Sequence, residues 1–275
     1  MNVSLYTTYA RCLKEFDSNV SAFRYFREKG IRYADILSSE FKAISFEEYL
    51  SRLTDAGMEL GSYVDLSDTA SFDRSARCAN RKTVREYIDK LEKNNVSKIM
   101  LAPAVTQAKS IDDYKRMREL LIEGFADAVE YARGSGVTVM IENQSLSTRA
   151  DSRVSDLLYI LDSVPGLKFV FDTGNFFCVK EDAIKAYEKF RDRIVHVHVK
   201  DWTYDLFGTY LRPDLPRFEG TAIGEGLLPN REIIALLAKD GFKGNLTLEI
   251  NSARTNFAML DRSADFLIEE MGKYK

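Results

Sequence analysis

The chain of 275 residues has only two histidines, His196 and His198, and both fall inside the run IVHVHVKD. With both committed to that strand-like run, no Ser-His-Asp apparatus can be assembled elsewhere. Cysteine is also scarce: Cys12, Cys78 and Cys178 are odd in number and form no C-x-x-C pair. They are expected to act as small buried apolar groups in a reduced, cytoplasmic protein. No apolar run reaches the roughly 18 residues that a membrane span needs. The first residues, MNVSLYTTYARCLKEF, lack an apolar core flanked by basic residues, so no signal peptide is expected. There is no excess of positive charge: 39 Lys plus Arg against 42 Asp plus Glu give a formal net charge of −3. That is unlike the basic footprint of a nucleic-acid binder. No linker rich in Gly, Ser or Pro divides the chain, so residues 1–275 read as one domain, 45% hydrophobic and able to bury a full core.

What the sequence does contain is an alternation of strand-like and helix-like segments. VSLYTT (3–8), YADILSS (33–39), ELGSYVDL (59–66), KIMLAP (98–103), VTVMIENQ (137–144), LKFVFDTG (167–174), IVHVHVKD (194–201) and NLTLEIN (245–251) are each followed by a helical pattern. One of these helices, FEEYLSRLTDAG (46–57), ends on Gly57 as a C-cap. Eight βα pairs of about 30 residues each predict an α/β fold, a (β/α)8 TIM barrel. Strands such as IVHVHV are apolar in both phases, as barrel strands buried on both faces must be. The segment WTYDLFGTYLRPDLPRFEGTAIGEG (202–226) is too long for a plain βα turn. Its aromatics, Trp202, Tyr204, Phe207 and Tyr210, suggest a lid loop over a site, with packing or a subunit contact as the alternative.

Four strand-like runs end in a metal-type ligand: Glu142, Asp172, His198 and Glu249, spaced 30, 26 and 51 residues apart. Those spacings are one βα unit, one unit, and one unit with a long loop. A closed parallel barrel gathers such strand ends at one mouth, where active sites of this architecture sit. Three carboxylates and an imidazole would repel or desolvate one another there without a divalent cation among them. The alternation places Ile194, His196, His198 and Lys200 on the inward face, with Val195, Val197 and Val199 toward the helices.

Each candidate has a chemical rationale. Glu142 and Glu249 are the acid/base pair, since a carboxylate can bind a metal through one oxygen and exchange a proton through the other. Asp172 is a pure ligand, and Gly174 frees the backbone for a sharp exit from the strand. His196, one layer below His198, is expected to hydrogen-bond a ligand carboxylate. Lys200 is placed to reach a substrate oxygen and stabilise enolate charge, or to carry a proton with its pKa lowered by the cation. Asn143, Gln144 and Asn175 are candidates for holding a hydroxylated substrate or, equally, for forming loop hydrogen bonds, with Asn175 also able to cap the next segment; Trp202 is a substrate candidate from the lid. Glu225, within the Gly-rich IGEG (223–226), is expected either to contact a sugar or to form a salt bridge within the lid. Glu219 is a weaker candidate for the same roles. IGEG lacks the spacing of a dinucleotide fingerprint, so no phosphate cradle is assigned to it.

On IEN with Glu142, FDTGN with Asp172, HVHVKD with His198 and TLEIN with Glu249, the whole chain resembles the sugar isomerase/epimerase superfamily with a xylose-isomerase-like TIM barrel. The resemblance implies a Glu-Asp-His-Glu set holding one divalent ion, Mn2+ first, with Mg2+, Co2+ and Zn2+ as alternatives. It also implies two glutamates shuttling protons through a cis-enediolate of a small carbohydrate or cyclitol. The wording is closer to the inosose and keto-sugar branch than to the tagatose and psicose epimerases. Those carry a histidine where this chain has Asn175, and an arginine where it has Tyr204. The zinc AP endonucleases of the same barrel need more histidines than two. The expected activity is thus isomerisation or epimerisation, with a lyase or dehydratase using the same enolate as the alternative. A non-catalytic sugar-binding barrel is the third option, and association into a homo-oligomer is left open. No nucleic-acid or membrane partner is expected.

Overall fold

The computed structural model describes residues 1–10, 13–42, 44–103 and 106–274. The strands are β1 (Asn2–Tyr6), β2 (Tyr33–Leu37), β3 (Glu59–Asp65), β4 (Lys98–Leu101), β5 (Thr138–Glu142), β6 (Lys168–Asp172), β7 (Ile194–Val199), β8 (Asp201–Tyr204), β9 (Phe218–Thr221) and β10 (Asn245–Leu248). All but β8 and β9 close into a parallel barrel in the order β1-β10-β7-β6-β5-β4-β3-β2. The helices are α1 (Thr7–Ala10), α2 (Asn19–Glu28), α3 (Phe46–Asp55), α4 (Arg74–Lys93), α5 (Ile111–Tyr131), α6 (Val154–Ser163), α7 (Asn175–Cys178), α8 (Ala183–Phe190), α9 (Asn230–Lys239) and α10 (Phe257–Gly272).

Local signals explain where helices begin and end. Ser45, Asp73, Ser110 and Asn256 each accept a backbone N–H from the first turn of α3, α4, α5 and α10. Gly57, just past α3, has φ +73, the left-handed conformation that a side chain disfavours. Outward-facing strand residues such as Ile99, Phe169, Val197 and Leu246 join the core under the helices. Tyr6, Val64, Met100, Met140 and Val170 fill the barrel interior. The polar ends of the strands are thereby left at the mouth, on a rigid frame. Among the described residues no helix is long and apolar enough to cross a membrane.

Three expectations are corrected. The strict alternation along IVHVHV fails at its start, because the pairing of β6 with β7 shifts register between Phe169 and Val170. The bulge turns Ile194 to the outer core and Val195 to the inner cluster, so inward alternation holds only from His196 on. Residues 202–226 are not a plain loop: β8 and β9 pair antiparallel, Trp202 opposite Gly220 and Tyr204 opposite Phe218. Cys78 is exposed on α4, not buried, because it falls on the solvent face of that helix, and Cys178 is half-buried. Cys12 lies outside the described residues.

Candidate metal centre

The barrel brings Glu142, Asp172, His198 and Glu249 to one mouth, with one ligand atom from each within 4.8 Å of all the others. Asp172 and His198 are direct partners across β6 and β7. Glu249 lies one residue past β10, and its N–H continues the ladder by donating to Val199 O (2.9 Å).

Each carboxylate has one oxygen tied to the protein and the other turned toward the common centre. Asp172 Oδ1 accepts the backbone N–H of Gly174 (2.8 Å) and of Asn175 (2.7 Å). No donor reaches its buried Oδ2 in hydrogen-bond geometry, although the Lys200 ammonium stands 2.9 Å away as an ion pair. Glu142 Oε2 accepts from Gln144 Nε2 (3.0 Å), and its Oε1 meets His198 Nδ1 in a short contact. Glu249 Oε1 accepts from Lys200 Nζ (2.9 Å), and its Oε2 lies 3.5 Å from His198 Nδ1. With its amide oriented to suit both neighbours, Asn251 donates to Glu249 Oε1 (2.9 Å) and accepts from Lys200 Nζ (3.2 Å).

Burial and mutual charge set the protonation. Burial lifts the Asp172 carboxyl to about 7, against the pull of Lys200. Burial also opposes charge on Glu142, but His198 outweighs it and holds that carboxyl below its ordinary value. His198 is disfavoured as a cation by burial, yet Glu142, Glu249 and Asp35 lift it to about 9. Lys200 is likewise penalised by burial and likewise overruled, by Asp172, Glu249 and Glu142, which hold it well above its usual value. The cluster is an anionic nest that takes up whatever positive charge is at hand. Its donor set of carboxylate oxygens and one imidazole nitrogen, with Asp172 Oδ2 lacking a proper donor, fits a divalent ion of oxygen-preferring character.

Below this layer lies a second polar layer, in which the sequence reading placed His196 but missed Asp35. Asp35 is fully buried and accepts from Thr247 Oγ1 (2.6 Å) and Ser4 Oγ (3.0 Å), with His196 Nε2 at 2.7 Å. His196 therefore pairs with Asp35 and not with a ligand carboxylate, because its ring lies a full layer too deep. Asp35 Oδ2 is 3.9 Å from His198 Nε2, so it is the charge directly beneath the His198 imidazole. Burial opposes its ionisation, but His196 holds it down at about 2. A carboxylate in mid-strand, in YADIL, was the available signal. Tyr6 was missed as well: its hydroxyl lies 3.2 Å from His198 Nε2.

A cavity of ≈ 310 Å³ opens over the centre. Its polar wall includes Tyr6, Tyr9, Gln144, Asn251 and the two glutamates, and its apolar wall includes Leu37, Val64, Leu66 and Met100. Of the ligand set, Glu142 and Glu249 border this space, while Asp172 and His198 are fully buried behind them. A larger cleft of ≈ 450 Å³ lies at the opposite end of β5 and β6, among Val129, Arg133, Thr138 and Lys168, and has no part of the carboxylate cluster.

The remaining candidates are placed differently from expectation. Lys200 is buried, with its ammonium turned into Asp172 and Glu249 and away from the cavity. Asn143 spends its amide on the backbone of Asp172, in both directions (3.0 and 2.9 Å), extending the β5–β6 pairing by a side chain. Asn175 donates to Asn143 O (2.8 Å) and accepts from Lys200 Nζ (3.2 Å). Trp202 is completely buried, packed on Tyr210 and Phe218, with its indole N–H on Gly174 O (3.0 Å). It roots the hairpin and does not face the cavity. Glu225 pairs with Arg262 of α10 on the surface (2.6 Å), and Glu219 accepts the N–H of Thr209 (2.8 Å) within the hairpin. The IGEG turn serves Asp201, whose carboxylate accepts the N–H groups of Gly224, Gly226, Leu228 and Trp202 at 2.9 to 3.1 Å.

Comparison with known proteins agrees with this architecture. Over 140 residues the chain is 24% identical to an inosose dehydratase of Histophilus somni (strain 129Pt), covering 48% of this chain and 47% of the relative. The chain thus spans about half the length of that relative. Among solved structures, IOLI protein with a binding zinc atom superposes with a TM-score of 0.79 at 14% identity, over 100% of this chain and 99% of the other. A D-tagatose 3-epimerase-like protein gives 0.77 at 17% identity, over 100% and 98%. At such identities these likenesses speak for the fold alone. The family described as Xylose isomerase-like TIM barrel matches residues 23–270, nearly the whole barrel, and the chain belongs to that family.

Proposed function

We propose that the protein is a divalent-metal-dependent isomerase or epimerase of a small polyhydroxy carbonyl compound, a sugar or an inosose. The observation that carries this reading is the division of labour within the ligand set. Two buried groups, Asp172 and His198, stand behind two glutamates that border a cavity of ≈ 310 Å³. When bound, a divalent ion such as Mn2+ would polarise a carbonyl and a neighbouring hydroxyl, acidifying the carbon-bound proton between them. The chain's own residues do the rest. Glu142 Oε2 is held only by the neutral amide of Gln144, so it keeps a lone pair for that proton. Glu249 stands across the site to return a proton to a neighbouring atom or the opposite face. Tyr6 supplies a neutral hydroxyl for a substrate oxygen, since burial, then Glu249 and Glu142, push its ionisation far upward. The apolar wall suits the carbon face of a ring, and the cavity is of small-molecule size.

A lyase is the second reading, favoured by one asymmetry. Glu249 Oε1 is shared by an ammonium and an amide, whereas Glu142 Oε2 takes a single amide donor, so Glu249 has the less free oxygen for a substrate proton. A site with one unencumbered carboxylate oxygen suits removal of a proton followed by loss of a β-hydroxyl, and likeness to an inosose dehydratase agrees with that. The test is solvent exchange in heavy water with Mn2+ and a panel of keto-sugars and inososes. Deuterium entering the carbon next to the carbonyl is expected under both readings, and an absorbing enone product marks the lyase. No exchange with any member of the panel would leave a sugar-binding barrel as the better description.

A further inference from the structure

The Lys200 ammonium is coordinated as a bound cation would be. Asp172 Oδ2 and Glu249 Oε1 lie at 2.9 Å, and Asn175 Oδ1 at 3.2 Å. The Asn251 side-chain oxygen completes the shell at 3.2 Å. The stem is fixed as firmly as the head. Lys200 N–H donates to Thr173 Oγ1 (3.2 Å), and its carbonyl accepts from Asn230 Nδ2 (3.0 Å). The side chain then runs beneath Gly174, with Trp202 beside it. It is 2% exposed, so solvent does not share the charge.

We propose that Lys200 is a built-in second cation that restricts the centre to a single divalent ion. The inference rests on the metal-dependent reading above. The charge count supports it: Glu142, Asp172 and Glu249 carry three negative charges when ionised, His198 binds a metal as a neutral ligand, and Lys200 returns one positive charge. The remaining deficit is two, which one divalent ion neutralises. A fixed ammonium sharing two of the ligand carboxylates also repels that ion and takes lone pairs a second ion would need.

The test is Mn2+ binding, read by calorimetry and by electron paramagnetic resonance on wild type, Lys200→Met and Lys200→Arg. Wild type and the arginine variant, which keeps the charge, are expected to bind one equivalent. Lys200→Met is expected to bind at least tenfold more tightly, or to take a second equivalent with the spectrum of a coupled pair. Lys200→Gln, which retains a donor for Glu249, is carried in parallel in case the methionine variant does not fold. One equivalent at unchanged or weaker affinity in the folded, uncharged variants would overturn the inference while leaving a metal centre in place. Wild type that binds no Mn2+ would overturn both it and the reading on which it rests.

Discussion

Gly174 and Lys200 are packed with no room for a side chain between them: a Cβ on Gly174 would lie 2.3 Å from Lys200 Cγ and 2.9 Å from Trp202 Nε1. The backbone there, φ −105 and ψ −22, is open to any residue. The glycine is therefore required for space and not, as the sequence suggested, for a sharp exit from the strand. Gly174→Ala is expected to push Lys200 off its carboxylates and cost about 1–3 kcal/mol. Denaturant titration of the purified variant checks this, and an unchanged midpoint would mean that the lysine stem can yield.

Asp201 is the other device behind a legible motif. Its carboxylate satisfies four backbone N–H groups, three of them in the turn before α9 and the fourth that of Trp202 in β8. A Cβ on Gly226 would come within 2.2 Å of Asp201 Oδ1. Asp201→Ala strands those donors and should cost about 3 kcal/mol or more, at about 1–3 kcal/mol per unsatisfied group in a partly wet turn. Glu225→Ala breaks only a half-exposed pair with Arg262 and should cost less than about 1 kcal/mol. Thermal melts of the two variants side by side decide it; equal losses would refute the assignment of IGEG to Asp201.

Asp65 offers a pH test away from the metal ligands. Burial lifts its carboxyl from 3.8 to about 6, although Ser67 offers a backbone and a hydroxyl donor. Because the folded value is the higher one, the stabilising contribution is complete below about pH 4 and is lost as pH rises through 6. The full swing is about 3 kcal/mol. Asp65→Asn removes the titration, so its stability relative to wild type should climb between pH 4 and 7. Denaturation midpoints across that range that run parallel would rule this out.

The barrel was legible because its signals are local and repeated. Each barrel strand is an apolar run, several helices open on a side-chain cap, and the spacings between the candidate strand ends are one βα unit, or one unit with a long insertion. The clustering of Glu142, Asp172, His198 and Glu249 follows from that spacing and closure alone. What was not legible depends on registers and contacts between distant segments. The bulge beside Ile194 needs knowledge of the β6 partner. The β8–β9 hairpin hides in a segment rich in Pro and Gly, where pairing comes from tertiary support and not from alternation. Asn143 and Trp202 are residue types that read as ligand contacts, yet the structure uses them to join β5 to β6 and to root the hairpin on Gly174. Asp35 was overlooked because its partners, Ser4, His196 and Thr247, come from three other segments of sequence.

The hairpin tip carries what remains of the lid idea. Leu206 and Phe207 are 83% and 89% exposed, while Phe218 at the root is fully buried. Arg212 ties the arm to Phe177 O (2.6 Å). The tip is thus the part of the arm that stands clear of the body. Replacing Leu206 and Phe207 together by serine should leave stability and Mn2+ binding within error and lower turnover several-fold. Full turnover in that variant would make the tip a surface for packing or self-association instead.

The two glutamates give the most direct test of the chemistry. Gln preserves size and one oxygen but cannot hold a substrate proton, and it lowers the charge offered to a cation. Glu142→Gln removes the carboxylate whose outer oxygen is held only by Gln144. Glu249→Gln removes the one already engaged by Lys200. If both act on the substrate, each variant should lose net conversion by about 10²-fold or more. Exchange of the carbon-bound proton should nevertheless survive better in Glu249→Gln, because the carboxylate with the freer outer oxygen remains. Metal content must be measured beside the rate, with His198→Ala as the variant expected to lose its ion altogether. Equal loss of exchange in both glutamine variants, at full metal occupancy, would mean that Lys200 does not set the two carboxylates apart. Undiminished conversion in either would remove that residue from the proton path.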